Sequence, residues 1–242
     1  MRRLARSGSY DEATRMSDTV AIIAALPREI AALVRGTIAD AGLLRVGIHL
    51  YRVEGAVVVA AGMSAERAAL AVETALATGN VGMLISAGLA GGCIAGVTAG
   101  SVIEADVVVD ARTGERFASA RGRGEGGTLV TTDAIASVHE KARLAAGYGA
   151  MMVDMEAATV ARLARLHKLP FRAIKGVSDE YDFELSSLAK FAGERGSFRT
   201  GAFALHTALR PWEWGKAVEL GRGSSRALAT LHEALRAAIA GR

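Results

Sequence analysis

Four short segments hold residue types that do chemistry, each beside an apolar run. Ile174-Lys-Gly-Val-Ser-Asp179 closes such a run on a hydroxyl and a carboxyl. Partial burial would raise the Asp179 pKa and make it a general acid, with Ser178 holding it; an ordinary helix cap is the alternative. Val153-Asp-Met-Glu156 sets two acids around a thioether. If the stretch is extended, Asp154 and Glu156 point one way and Met155 the other. Such a pattern suits a sugar, the carboxylate accepting from vicinal hydroxyls and Met155 packing on the apolar face. The alternative for Glu156 is a favourable place at a helix N-terminus. Glu29, just after Pro27-Arg28, is either a capping carboxylate or a base acting on water. Ser86-Ala-Gly-Leu-Ala-Gly-Gly92 follows an apolar run and reads as a ligand loop: Ser86 offers a hydroxyl, and the N–H groups around Gly88 can approach an oxygen-rich ligand. A tight turn needing positive φ explains the same glycines. Neither G-x-G-x-x-G nor G-x-x-x-x-G-K-[ST] occurs, and the five histidines show no metal-binding spacing, so no metal or cofactor is called for.

Positioning these groups requires strands that end where the motifs begin. Apolar runs at 20–26, 43–53, 56–61, 82–86, 101–110, 128–132 and 171–177 read as strands. Amphipathic stretches at 27–34, 65–78, 137–146, 157–168 and most of 186–240 read as helices. Their alternation predicts helices on both faces of a buried sheet, an α/β fold. Residues 121–127, with four glycines among charges, read as a mobile loop. Residues 1–18 read as a flexible N-terminal arm, with Met16 an alternative start, and 19–242 as one domain.

Composition narrows the function classes. Of 242 residues, 51% are hydrophobic and 22% charged, which excludes the disordered class. A mean hydropathy of +0.26 raises the question of a membrane, but no run approaches the roughly 18 apolar residues of a span. The single cysteine, Cys93, makes no internal disulfide, and a cytoplasmic protein is expected. A net charge of +4 comes from dispersed arginines, and 5% aromatics offer little for base stacking, so nucleic acid is not the expected partner.

In order, these segments resemble the purine nucleoside phosphorylase and nucleosidase superfamily, above all its 5′-methylthioadenosine/S-adenosylhomocysteine nucleosidase branch, over about residues 20–182. The resemblance implies a three-layer αβα sandwich around a mixed, partly closed central sheet. It implies hydrolysis of a purine nucleoside, a 5′-substituted adenosine, with Glu29 activating water, Ser86 and Gly88 facing the nucleophile, Met155 and Glu156 on the ribose, and Asp179 beside Ser178 protonating purine N7. It further implies no cofactor, a small nucleoside with water or phosphate as partners, and a homodimer or higher oligomer. Ile135 stands where these nucleosidases carry an aromatic that stacks on the base, and Lys175 where arginine is frequent. The tail around Arg210-Pro-Trp-Glu-Trp214 and Leu220-Gly-Arg-Gly-Ser224 is more similar to hopanoid-associated phosphorylases, which implies a large apolar 5′ group. Phe191, Phe198, Phe203 and Leu205 of the C-terminal segment either wall the pocket for that group or form the core of a C-terminal helix pair. Two alternatives remain at this level: phosphorolysis, served by Arg28, Arg112, Arg116 or Lys175, and a nucleoside-binding module without catalysis.

Overall fold

A computed structural model describes residues 19–121, 124, 126–184 and 214–241. The arm at 1–18, the four C-terminal apolar residues just named and Trp212 lie outside them. Ten strands form one mixed sheet. Its path runs β2 (His49–Val53), β3 (Ala56–Ala60), β1 (Thr19–Ala24), β4 (Val81–Gly92), β9 (Ala150–Asp154), β8 (Thr128–Thr131), β6 (Val107–Asp110), β7 (Arg116–Ala118). The sheet does not close. It forks at β4, whose other edge carries β10 (Phe171–Asp179), which in turn pairs with β5 (Val102–Glu104).

Alternation along β1 explains the layers. Ala21 and Ile23 face α2 (Ala65–Leu76) and α4 (Ala157–Leu166), while Val20, Ile22 and Ala24 join Leu231, Leu235 and Ala238 of α5 (Trp214–Ala240). Complete burial of Leu231 and Leu235 contributes about 1.5–3 kcal/mol each and holds α5 on the sheet. Helix α3 (Val138–Tyr148) starts at Ser137, whose hydroxyl accepts from Glu140 N–H at 3.2 Å, and ends at Gly149 with φ +68°. It packs beside β9.

Several elements differ from the sequence reading, each for a local reason. Residues 27–34 form no α-helix: Pro27–Glu29 is a single 3-10 turn followed by further turns. The Glu29 side chain folds back onto the N–H groups of Ala25 and Leu26 and tightens the chain there. The run 43–53 starts as a helical turn, α1 (Ala41–Leu44), because Asp40 caps it through Gly42 and Leu43 N–H, and the strand begins only at His49. The run 101–110 is two strands with different partners, β5 and β6. Between them Asp106 accepts from Gly124, Gly126 and Gly127 N–H at 2.7–3.0 Å, which ties down the described glycines of 121–127. The largest difference is β4, which continues to Gly92 through the residues read as a loop. Ala and Gly have low strand propensity, but β10 pairs Lys175 with Gly88 and Val177 with Ala90, and β9 pairs Val153 with Gly91, so tertiary pairing overrides propensity.

Candidate active site

The carboxyl ends of β4, β9 and β10, the turn after β1, the stretch 132–136 after β8 and the stretch 220–228 of α5 enclose a cavity of about 410 Å³. Glu29, Ile135, Met155, Glu156, Ser178 and Asp179 all line it. Ser86 and Gly88 do not. Ser86 is fully buried within β4 between β1 and β10, and its hydroxyl has no hydrogen-bond partner. Gly88 lies directly behind Glu29.

Glu29 is 4% exposed and held from three sides. One carboxylate oxygen accepts from Ala25 N–H at 3.0 Å and Leu26 N–H at 2.8 Å; the other accepts from Leu89 N–H at 3.1 Å. A carboxylate has about four acceptor sites, so about one is left for a ligand in the cavity. Gly88 makes the fit possible. Its φ is +131°, and a Cβ there would sit 3.1 Å from the Glu29 carboxylate atoms. Gly88→Ala is expected to cost about 1–3 kcal/mol of stability, from backbone strain and a displaced carboxylate. Gly147→Ala in α3, with open space around it, serves as the neutral or slightly stabilising control. Urea denaturation of both variants checks this; equal midpoints would remove Gly88 as the support of Glu29.

Strand alternation fails where β9 ends. Val153, Asp154, Met155 and Glu156 all reach the cavity wall, because the chain leaves the strand after Asp154 and Glu156 has φ −131° and ψ −33°. Asp154 is consumed internally. It accepts from the Thr131 hydroxyl at 2.7 Å and from Ala157 N–H at 2.9 Å, and pairs with Lys175 Nζ at 2.9 Å, both partners of the pair being fully buried. Glu156 accepts from Ser64 N–H at 3.1 Å, and Ser64 itself has the positive φ of +110° that non-glycine residues seldom adopt. Loss of hydration and the neighbouring Asp154 push the Glu156 pKa up to about 7, against the pull of Lys175 and the Ser64 N–H. Burial acts against the Lys175 charge, but Asp154, Glu156 and Glu29 outweigh it and hold its pKa above the ordinary value. Lys175 therefore balances a carboxylate cluster and does not line the cavity.

A β-bulge explains the other end of the site. Val177 pairs with Ala90 and Asp179 with Gly91, leaving Ser178 as the extra residue, so two consecutive side chains turn to the same cavity. The Ser178 hydroxyl bonds to the Asp179 carboxylate and lies 3.2 Å from Ala90 O. Asp179 also pairs with Lys141 Nζ at 2.5 Å. Burial raises the Asp179 pKa above its ordinary value, while Lys141 and Ser178 oppose the rise. Gly91 leaves room for this pair: a Cβ there would lie 3.0 Å from Asp179 Oδ2 and 3.2 Å from Lys141 Cε.

Lys141, Met63 and Leu228 were not singled out in the sequence, and Leu220 stood there only as part of a tail motif. A lysine inside an amphipathic helix reads as solvated until the fold turns it inward, and helical leucines read as core. Arg28 lines the cavity; Arg112 and Arg116 do not. Among the described residues no group of three or more His, Cys, Asp or Glu is placed to hold a metal ion, and no helix is long and apolar enough to cross a membrane.

Residues 120–207 match the model of the phosphorylase superfamily. No curated protein matches the sequence. Among solved structures, a 5′-methylthioadenosine/S-adenosylhomocysteine nucleosidase from Helicobacter pylori is similar with TM-score 0.67 at 13% identity, covering 93% of this chain and 99% of that chain. The corresponding nucleosidase from Neisseria meningitidis gives 0.64 at 20% identity, covering 89% and 95%. A futalosine hydrolase from H. pylori gives 0.67 at 13% identity, covering 95% and 100%.

Proposed function

From the premise that residues 120–207 have the sequence of the phosphorylase superfamily and the chain has the fold of the nucleosidases, we propose that this protein cleaves the N-glycosidic bond of a purine nucleoside, a 5′-substituted adenosine, by hydrolysis. The observation that carries this reading is one cavity with two acid groups in separate electrostatic settings. Glu29 belongs with Asp154, Glu156 and Lys175; Asp179 belongs with Lys141 and Ser178. Their glycine supports, Gly88 and Gly91, are three residues apart on β4, about 10 Å.

Breaking the bond sends the C1′–N9 electron pair into the purine and leaves an oxocarbenium-like sugar. Asp179 gives its proton to N7, so the base departs neutral. Water held by Glu29 adds to C1′, and its proton passes to the Glu29 carboxylate. Glu156 accepts from ribose hydroxyls, and Met155 packs on the sugar. Ile135 replaces ring stacking by an aliphatic contact with the base. Return of the proton from Glu29 to Asp179 through solvent completes the cycle.

Three carboxylates around Lys175 disfavour a phosphate dianion, which supports water as the nucleophile. Phosphorolysis stays as a second reading on one observation, that Arg28 lines the cavity. The test is a panel of purine and pyrimidine nucleosides with free-base release and sugar product measured with and without phosphate. A free sugar that keeps its 5′ group is expected in both conditions; the corresponding sugar 1-phosphate as the main product selects the second reading, and no release from any nucleoside overturns both.

For the 5′ group, Met63, Leu89, Ala90, Leu220 and Leu228 supply apolar wall, and Ser224 and Ser225 add hydroxyls. Each buried methylene contributes about 0.8 kcal/mol, so a butylthio group is expected to gain roughly 2–3 kcal/mol over methylthio in kcat/KM. A preference for unsubstituted adenosine would contradict an apolar 5′ site.

A further inference from the structure

Lys141 is an unusual feature of the cavity, because a lysine 1% exposed at the wall of a site is placed on the very carboxylate read as the acid. Its three N–H donors have three acceptors: Asp179 Oδ2 at 2.5 Å, Glu180 O at 2.7 Å and Phe183 O at 3.2 Å. The ammonium is thus saturated and can reach no substrate atom without leaving one of them. It comes from α3, while the carboxylate comes from the bulge of β10, so the pair exists only through packing. Gly91 is shaped around both partners. We propose that Lys141 is the positioning residue of the leaving-group acid, fixing the Asp179 carboxyl and setting the pH range over which it can donate a proton. This rests on Asp179 being that acid.

The groups facing Asp179 decide when its carboxyl ionises. Ser178 contributes a neutral hydroxyl from its own strand, Cys93 just beyond β4 contributes a thiol whose pKa burial pushes up to about 12, and Lys141 contributes the positive charge. An opposite charge in contact lowers a carboxyl pKa by about 1–3 pH units, and burial works the other way. Without Lys141, burial is opposed only by the Ser178 hydroxyl, and Asp179 holds its proton to higher pH. Activity that needs protonated Asp179 then persists to higher pH, but the carboxyl is no longer held in place.

The test compares Lys141→Met with Lys141→Arg, which retains the charge. In Lys141→Met the alkaline limb of kcat/KM is expected to move up by about one pH unit or more, with the plateau of kcat lowered; Lys141→Arg keeps the limb near that of the parent. A second readout needs no turnover. An adenosine analogue with carbon at position 9 and N–H at position 7 donates to ionised Asp179, so its binding weakens as pH falls through the Asp179 pKa. That weakening should begin about one unit higher in Lys141→Met. If Lys141→Met does not fold, Lys141→Gln takes its place, keeping a donor without charge. Unchanged pH limits in both measurements, with Asp179→Asn inactive, would make Lys141 merely structural and overturn the proposal. Full activity of Asp179→Asn would instead overturn the reading of Asp179 beneath it.

Discussion

Asp179→Asn is expected to lower turnover on a purine nucleoside by about 10²–10⁴-fold, the usual contribution of a positioned general acid. The amide has nearly the volume of the carboxyl, so it fits over Gly91 and against Ser178, but it has no proton to give to N7. The fold is not indifferent to the change. Lys141 keeps the Glu180 and Phe183 carbonyls as acceptors but loses its counter-charge, and removing one partner of a buried pair costs about 3–5 kcal/mol. Melting curves therefore accompany the kinetics, and the double variant Asp179→Asn/Lys141→Met removes the uncompensated cation. Recovered stability with turnover still absent separates chemistry from folding. Turnover equal to that of the parent in folded Asp179→Asn would end the assignment.

Lys175→Met is expected to destabilise the protein by about 3–5 kcal/mol at pH 8, and by less at pH 5.5, as read from urea denaturation midpoints. Lys175 is the cation among Asp154, Glu156 and Glu29, and methionine fills its place without charge. The sign is fixed by which groups can take up protons. The folded pKa of Lys175 is raised, so its contribution is fully present below the unfolded value of 10.5 and is lost only as pH rises through the folded one. Both test conditions lie below that. Glu156 already titrates near 7 in the parent, and without Lys175 its pKa rises further. At pH 5.5 it is protonated, the cluster carries less unpaired negative charge, and the penalty shrinks. A loss under about 1 kcal/mol at both pH values, the range of an exposed pair, would contradict a buried charge cluster.

The amino-acid sequence by itself determined the alternation of strands and helices, since burial on two faces of a sheet writes itself as short apolar runs and burial on one face of a helix as a period of 3.6. It also determined that Glu29, Met155, Glu156, Ser178 and Asp179 fall at the ends of such runs, where an α/β sheet exposes its carboxyl edge. Tertiary structure alone decided the rest. Residues 87–92 became strand because β10 and β9 supply partners on both edges, a non-local pairing that a run of Ala and Gly does not announce. Ser178 and Asp179 face one cavity because a bulge cancels the alternation that spacing would impose. Ser86 went into the sheet and Gly88 behind Glu29, since extending β4 moved the wall of the cavity onward to Leu89, Ala90 and Gly91. Lys141 and Lys175 are polar letters in helical and strand patterns, and their meaning depends on the carboxylate that packing sets opposite each one. Charge pairing across 38 residues between Lys141 and Asp179 is a property of how α3 sits on the sheet, and the period of a helix carries no information about what its inward lysine will meet.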